Sequence, residues 1–305
     1  MSQTLEYAEP TLANPLGEID SSLFRARFNQ RPFKIQHHLV DHPLFALPRL
    51  VELSQRLPES RVEYNSGNLP VSQDPTSTPR TGLSIEETIR RIEECRSWLV
   101  LKNVELDGEY RELLDACLDA IEVHTRPHWP GMCLREGFIF ISSPGSVTPF
   151  HIDPENNFLL QIRGTKQVEL FDATDRNVVP EKDLEAFFSG AHRNLVYKDE
   201  FKSRGELFNL IPGEGLHFPV AAPHWVKNGP AVSISFSITF QTEDSRRRHA
   251  LHRLNAQLRR WGLTPSPFGV SPSRDALKYQ VVKAVRAAKQ LAGRGDAGKT
   301  TYGGM

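Results

Sequence analysis

Thr148-Pro149-Phe150-His151-Ile152-Asp153, followed far downstream by Pro223-His224-Trp225, places two imidazoles and one carboxylate in a strand-rich part of the chain. His151 and Asp153 are separated by one residue, so on an extended strand both side chains leave from the same face and can reach one ion. His224 ends an apolar run punctuated by Pro and Gly, Ile211 to Pro223, that reads as strand and turn and can bring the third ligand from a neighbouring strand. Two histidines and a carboxylate on one side of an ion, with positions left open, form the ligand set of a mononuclear non-haem iron site. A His-x-Asp triplet alone arises often by chance, and a strand histidine is more often a core or surface residue.

Lys166 bears on the choice. Asn157 to Phe171 reads as two strands about an Arg163-Gly164-Thr165 turn, and Lys166, Val168 and Leu170 share one face of the second strand. An ammonium on an apolar, inward face costs several kcal/mol to bury without a partner, so such a lysine calls for an anion beside it. A cosubstrate carboxylate would serve, and Thr148, three residues before His151, could donate a hydroxyl to the same carboxylate. Strand parity is equally compatible with an edge lysine that keeps its head in solvent.

Three segments together, Thr148 to Asp153, Asn157 to Lys166, and Pro212-Gly213-Glu214-Gly215 with Pro223-His224, resemble the JmjC and cupin-like iron(II)/2-oxoglutarate oxygenases over about residues 136 to 241. The asparaginyl hydroxylase of hypoxia-inducible factor has a similar pattern. The resemblance implies a mainly β fold with flanking helices around a double-stranded β-helix (jelly-roll) core. It implies that His151, Asp153 and His224 bind Fe(II), and that Thr148 and Lys166 hold the distal carboxylate of 2-oxoglutarate. Asn157 corresponds to a family asparagine that supports the cosubstrate. A second family asparagine falls near Ser237, a departure from the pattern, and the family's cosubstrate-binding tyrosine matches no residue of this chain. O2 is the implied co-oxidant and succinate the implied product. Because related halogenases lack the carboxylate, Asp153 favours hydroxylation or demethylation.

His217 competes for the third ligand position, since it lies seven residues before His224, where the family usually has an apolar residue. His224 is the expected ligand and His217 a pocket residue. His37, His38, His42, His124, His128, His192, His249 and His252 stand in polar or turn-rich contexts, where solvated surface positions are expected.

The chain has 305 residues, 37 basic and 37 acidic, and is long enough to bury a substantial core. No run approaches the roughly 18 apolar residues of a membrane span, and Met1 to Asp20 does not resemble a signal peptide. Cys95, Cys117 and Cys133 have no metal-type spacing, and an odd, dispersed set suggests reduced thiols in a cytoplasmic protein.

Residues 1–135 are expected to supply helices and strands flanking the barrel, 136–244 the double-stranded β-helix, 245–292 basic helices and 293–305 a disordered tail. Within the first part, Leu44 to Leu53 suggests a small amphipathic helix. Residues 64 to 83, rich in Gly, Pro, Ser and Thr, suggest a long loop, either a solvated connector or a lid. Ser84 and Glu87 form a capping box for a helix through about Arg96, Trp98 to Leu101 a strand, and Asp107 to Ile121 a helix. Strands are expected at Gly137–Ser142, Asn157–Ile162, Gln167–Phe171, Leu207–Ile211, Leu216–Val220 and Ala231–Gln241, with a helical insertion at 181–189.

Between Ser245 and Arg294 twelve arginines and lysines face the single acid Asp275. Leu251, Leu254 and Leu258, then Leu277, Val281, Val285 and Ala288, fall at helical spacing on either side of a Pro-rich break, which suggests two amphipathic helices. Such helices could pack on the barrel or pair two subunits as a homodimer; nucleic-acid or anionic membrane contact is the alternative. Gly293 to Thr300 fits the phosphate-loop expression but lacks the strand before and the helix after that such a loop requires.

The expected function is therefore an Fe(II)/2-oxoglutarate-dependent hydroxylase acting on a protein or peptide side chain or a small metabolite. One rival is a non-catalytic cupin-like module, regulatory or contacting nucleic acid. Another is a metal cupin enzyme that does not use 2-oxoglutarate, against which Lys166 argues.

Overall fold

The computed structural model describes residues 14–79 and 81–291. Its strands in chain order are β1 (Phe33–Gln36), β2 (Val62–Ser66), β3 (Ser97–Lys102), β4 (Cys133–Ser142), β5 (Val147–His151) and β6 (Asn156–Arg163), then β7 (Lys166–Leu170), β8 (Glu206–Leu210), β9 (Glu214–Phe218), β10 (His224–Asn228) and β11 (Ser233–Gln241). They pair antiparallel into a seven-stranded sheet, β1-β9-β6-β11-β4-β3-β2, and a four-stranded sheet, β5-β10-β7-β8. The helices are α1 (Ser21–Arg27), α2 (Leu47–Arg56), α3 (Ile85–Arg90), α4 (Gly108–Thr125), α5 (Glu181–Phe188), α6 (Glu243–Arg260) and α7 (Pro272–Leu291). Two facing antiparallel sheets with flanking helices make the double-stranded β-helix expected above.

β11 shows why the layers form. Ser233, Ser235, Ser237 and Thr239 alternate with Ile234, Phe236, Ile238 and Phe240, and every one of these residues is buried. The apolar set joins the main core with Phe24 of α1 and Phe28 just after it, Leu50 and Leu53 of α2, and Tyr110, Leu113, Leu114 and Cys117 of α4. The polar set faces the four-stranded sheet, where Lys166 donates to Ser235 at 2.6 Å. A strand buried on both faces can therefore present hydroxyls to a polar interior while its other face is sealed by helices.

The connection between β6 and β7 carries the chain from one sheet to the other in a tight turn. Gly164 sits there at φ +70°, and a Cβ would collide with the Val232 carbonyl oxygen. Only glycine fits both constraints.

The capping box is present, with Ser84 accepting from the Glu87 N–H and Glu87 accepting from the Ser84 N–H. α3 nevertheless stops at Arg90 rather than near Arg96, because the chain tightens through 91–95 and Arg96 adopts φ +50° to enter β3. Residues 64–83 begin inside β2, and the loop that follows is tied to β5: Val147 and Phe150 N–H donate to Gly67 and Val71 carbonyls at 3.0 and 2.8 Å. It is not a free solvated connector.

Contacts divide the described residues into two units, those up to 173 with 194–242, and 174–193 with those from 243 onward. In the second, α5 packs on α6 and α6 on α7. Glu185 is buried there and accepts from Arg259 at 2.5 Å. The phosphate-loop-like stretch Gly293 to Thr300 and the expected tail lie outside the described residues. Among the described residues no helix is long and apolar enough to cross a membrane, and the three cysteines are free.

Candidate metal and cosubstrate site

β5 and β10 are neighbours, and their register sets His151 directly opposite His224. The two rings lie 4.1 Å apart between centroids, and each Nε2 is 3.6 Å from Asp153 Oδ2. One ligand atom from each of His151, Asp153 and His224 falls within 4.8 Å of the others, a group that can hold a metal ion. The orientation of both rings is set from behind. His151 Nδ1–H donates to the Pro149 carbonyl at 2.7 Å and His224 Nδ1–H to the Ala222 carbonyl at 3.0 Å. This leaves Nε2 with its lone pair toward Asp153, the tautomer a metal requires.

The backbone joins the two ligand segments. Ala221 N–H donates to the Asp153 carbonyl at 2.9 Å, and Ala221 holds the left-handed conformation, φ +58°, in the turn that leads into β10. A non-glycine residue in that region costs roughly 1–2 kcal/mol, a strain tolerated where the surroundings over-determine it.

Strand register extends the same face. His224 is opposite Leu170, Val226 opposite both Val168 and Thr148, and Asn228 opposite Lys166. Directly opposed residues point to the same side of a sheet, so the histidine pair and Lys166 line one interior face, and Thr148 joins it across a register shift on β5, where Thr148 and His151 stand three residues apart. From Leu170 to Lys166 the ladder runs about 13 Å. Lys166 is 5% exposed, and among the described residues it pairs with no carboxylate. Burial pushes its ammonium down from the ordinary lysine range to about 7. The parity argument for an inward lysine holds, and the solvent-snorkelling alternative does not.

Asn157 and Ser237 are both buried on the facing sheet, and Ser237 Oγ–H donates to Asn157 Oδ1 at 2.7 Å. That bond leaves the Asn157 amide nitrogen as the end with donors to offer. A surface groove of about 500 Å³ lined by Thr165, Lys166, Asn209, Lys227 and Asn228 lies at the strand ends away from the histidine pair. It does not include the three clustered residues and meets the site only at Lys166.

His217 is not in the cluster. On β9 it faces the other side of the large sheet, fully buried among Phe28, Phe33 and Phe158. Its Nδ1–H donates to the Asn157 carbonyl and its Nε2 accepts from the Asn29 N–H, so both nitrogens are spent on backbone. Two of the other histidines also depart from the surface expectation. His37 is buried with Nε2–H donating to the Gln161 carbonyl, and His252 is buried beside Glu181 in the second unit. A polar sequence context does not report on burial once a neighbouring carbonyl or carboxylate can satisfy the ring.

These buried neutral rings make the chain acid-sensitive. Desolvation lowers His217 to about 3 and His37 to about 4. Between those values and the ordinary 6.5, the unfolded chain takes up protons that the folded chain refuses, so stability falls as pH drops through that window. The expected loss is up to about 2 kcal/mol per ring between pH 6.5 and 5, read as a lower urea midpoint at pH 5 than at pH 7. His217→Gln should flatten that dependence while keeping metal affinity, whereas His224→Gln should lose the metal. Equal metal loss in both variants would return His217 to the ligand set.

A model of the cupin-like domain matches residues 51–257, and the chain belongs to that family. Among curated proteins it is similar to JmjC domain-containing protein D of Dictyostelium discoideum, 34% identical over 106 residues, covering 32% of this chain and 23% of that protein. It is also similar to lysine-specific demethylase 8 of Xenopus tropicalis, 28% identical over 102 residues, covering 32% and 22%. The chain thus spans less than a quarter of the length of these relatives. Among solved structures, ycfD of Escherichia coli superposes with TM-score 0.52 at 16% identity over 94% of this chain and 71% of that one. A second structure, of YcfD as a ribosomal oxygenase with cobalt and 2-oxoglutarate, gives TM-score 0.51 at 16% identity over 90% and 68%. At this identity the likeness is one of fold.

Proposed function

We propose that this chain is an Fe(II)- and 2-oxoglutarate-dependent oxygenase, and that it hydroxylates a side chain of a protein or peptide. The observation that carries the proposal is the single interior face shared by the His151–His224 pair, Thr148 and Lys166. His151, Asp153 and His224 would hold the metal, two neutral imidazoles and one carboxylate suiting Fe(II). Lys166 would bind the distal carboxylate with Thr148 beside it, and the donors of Asn157, oriented by Ser237, would face the metal-proximal end. Bound iron would supply the oxidation, in which substrate, O2 and 2-oxoglutarate give hydroxylated substrate, succinate and CO2. The residues bind and orient. A protein substrate is favoured by the names of similar proteins, a lysine-specific demethylase and a ribosomal oxygenase.

The test is succinate formation from 2-oxoglutarate by the iron-loaded chain in air. Turnover should rise when a cell extract containing substrate is added, and the modified protein should gain one oxygen atom by mass spectrometry. An iron-loaded chain that never binds 2-oxoglutarate would favour the non-catalytic cupin-like reading.

The basic helices add a separate expectation. α7 exposes Leu277, Val281 and Val285 on one face, and we expect pairing with a second copy. Truncation after Asp244 should then change the oligomeric state, from two copies to one by light scattering, and an unchanged number of copies would exclude that pairing.

A further inference from the structure

We propose that Ser235 and Gln161 are positioning residues for Lys166, forming a one-directional hydrogen-bond relay that holds the ammonium ready for the far carboxylate of a keto diacid. This rests on the function proposed above and names which residues prepare the cosubstrate end of that site.

Five hydrogen bonds trace the relay. Lys166 Nζ donates to Ser235 Oγ at 2.6 Å, and Ser235 Oγ–H donates to Gln161 Oε1 at 2.7 Å. Gln161 Nε2 donates to the Arg163 and Gly164 carbonyls at 2.7 and 3.1 Å, with Ser233 Oγ also at 3.1 Å. Those carbonyls accept only, so the Gln161 amide can sit in one orientation, with Oε1 toward Ser235. Ser235 must then spend its proton on Gln161 and offer a lone pair to Lys166. Direction is imposed from the turn that joins the two sheets, through the glutamine and the serine, to the ammonium. An ammonium has three protons, and the relay takes one. The others remain for a bidentate or paired carboxylate.

All three side chains are buried. The groups facing the ammonium are Ser235 on β11, the Phe140 ring on β4 at 5.9 Å and, in register, Asn228 on β10 and Leu210 on β8. None carries charge. Ser235 is thus the hydrogen-bond acceptor beside the ammonium before any ligand arrives, and it opposes the burial that lowers the lysine's titration. Without it the ammonium deprotonates more readily and turns freely, and both changes weaken its hold on a carboxylate.

The experiment is calorimetric titration of 2-oxoglutarate and of pyruvate into the full chain loaded with Mn(II), from pH 6 to 9. Pyruvate has the keto acid end but no distal carboxylate. Ser235→Ala should weaken 2-oxoglutarate about tenfold at pH 7 and move the alkaline loss of affinity to lower pH, leaving pyruvate unchanged. Ser235→Thr, which keeps a hydroxyl, should recover most of the affinity. Gln161→Met should act in the same direction, and it serves as the second variant if Ser235→Ala does not fold. Ser235→Ala with native 2-oxoglutarate affinity and pH profile overturns the inference, as does an equal loss of pyruvate, which would signal a general disturbance of the barrel. Failure of the native chain to bind 2-oxoglutarate at all would instead overturn the proposed function.

Discussion

Lys166→Met is expected to abolish 2-oxoglutarate binding and, at the same time, to make the ligand-free protein more stable at pH 7. The lysine is buried without a counter-ion among the described residues, and burial has lowered its titration from 10.5 to about 7. Between those two values the unfolded chain holds a proton that the folded chain gives up, so this group's contribution to stability rises with pH across that window. Below about pH 7 the folded protein carries the full cost of the charge. At 1.36 kcal/mol per pH unit that cost is bounded near 5 kcal/mol, and the net gain on removing it, after losing the Ser235 bond, is about 1–3 kcal/mol. Methionine fills similar length with an adaptable apolar chain. Urea midpoints at pH 7 and pH 9 check the claim: the variant should exceed the native protein at pH 7 by more than at pH 9. A variant less stable at pH 7 would mean that the lysine already has its anion. Unimpaired 2-oxoglutarate binding would place the carboxylate elsewhere.

Asp153→Ala carries the second large effect. The carboxylate is the only anionic member of the cluster, 3.6 Å from both Nε2 atoms. Its loss leaves two neutral imidazoles whose orientation is still held by Pro149 and Ala222. Disturbing outer-shell partners of a metal site costs roughly 10–100-fold in affinity, and removing a direct ligand should exceed that. Succinate formation should fall to background, and Fe(II) or Mn(II) titration should show the affinity loss directly. The fold should persist, since the Asp153 backbone bond to Ala221 does not involve the side chain. Native metal affinity in this variant would end the three-ligand assignment.

The elements that could be read before folding are those whose signal is local. The capping box at Ser84, the apolar stripe of α4 and the two C-terminal helices rest on neighbours within two turns. The face that Lys166 shares with Val168 and Leu170 belongs to the same group, because a period of two needs only its own strand, whereas its burial under the facing sheet was left open. β10 was hidden, since His224 to Asn228 is short and its Trp and Lys point away from the barrel interior. His217 and His37 were misplaced because their partners are backbone groups of Asn29, Asn157 and Gln161, distant in the chain. The Ser235–Gln161 relay left no sequence signal beyond alternation, as serines facing a polar interior look like serines facing water.

By itself the amino-acid order determined the chemistry on offer, a His-x-Asp pair and a lysine on the apolar face of a strand, because side-chain direction along a strand alternates by covalent geometry alone. Only the tertiary structure decided which histidine completes the trio and what holds the ammonium in place. Those outcomes depend on register between strands far apart in the chain. Register is set by the burial of whole sheet faces, so a slip of one residue would send His224 to the opposite side.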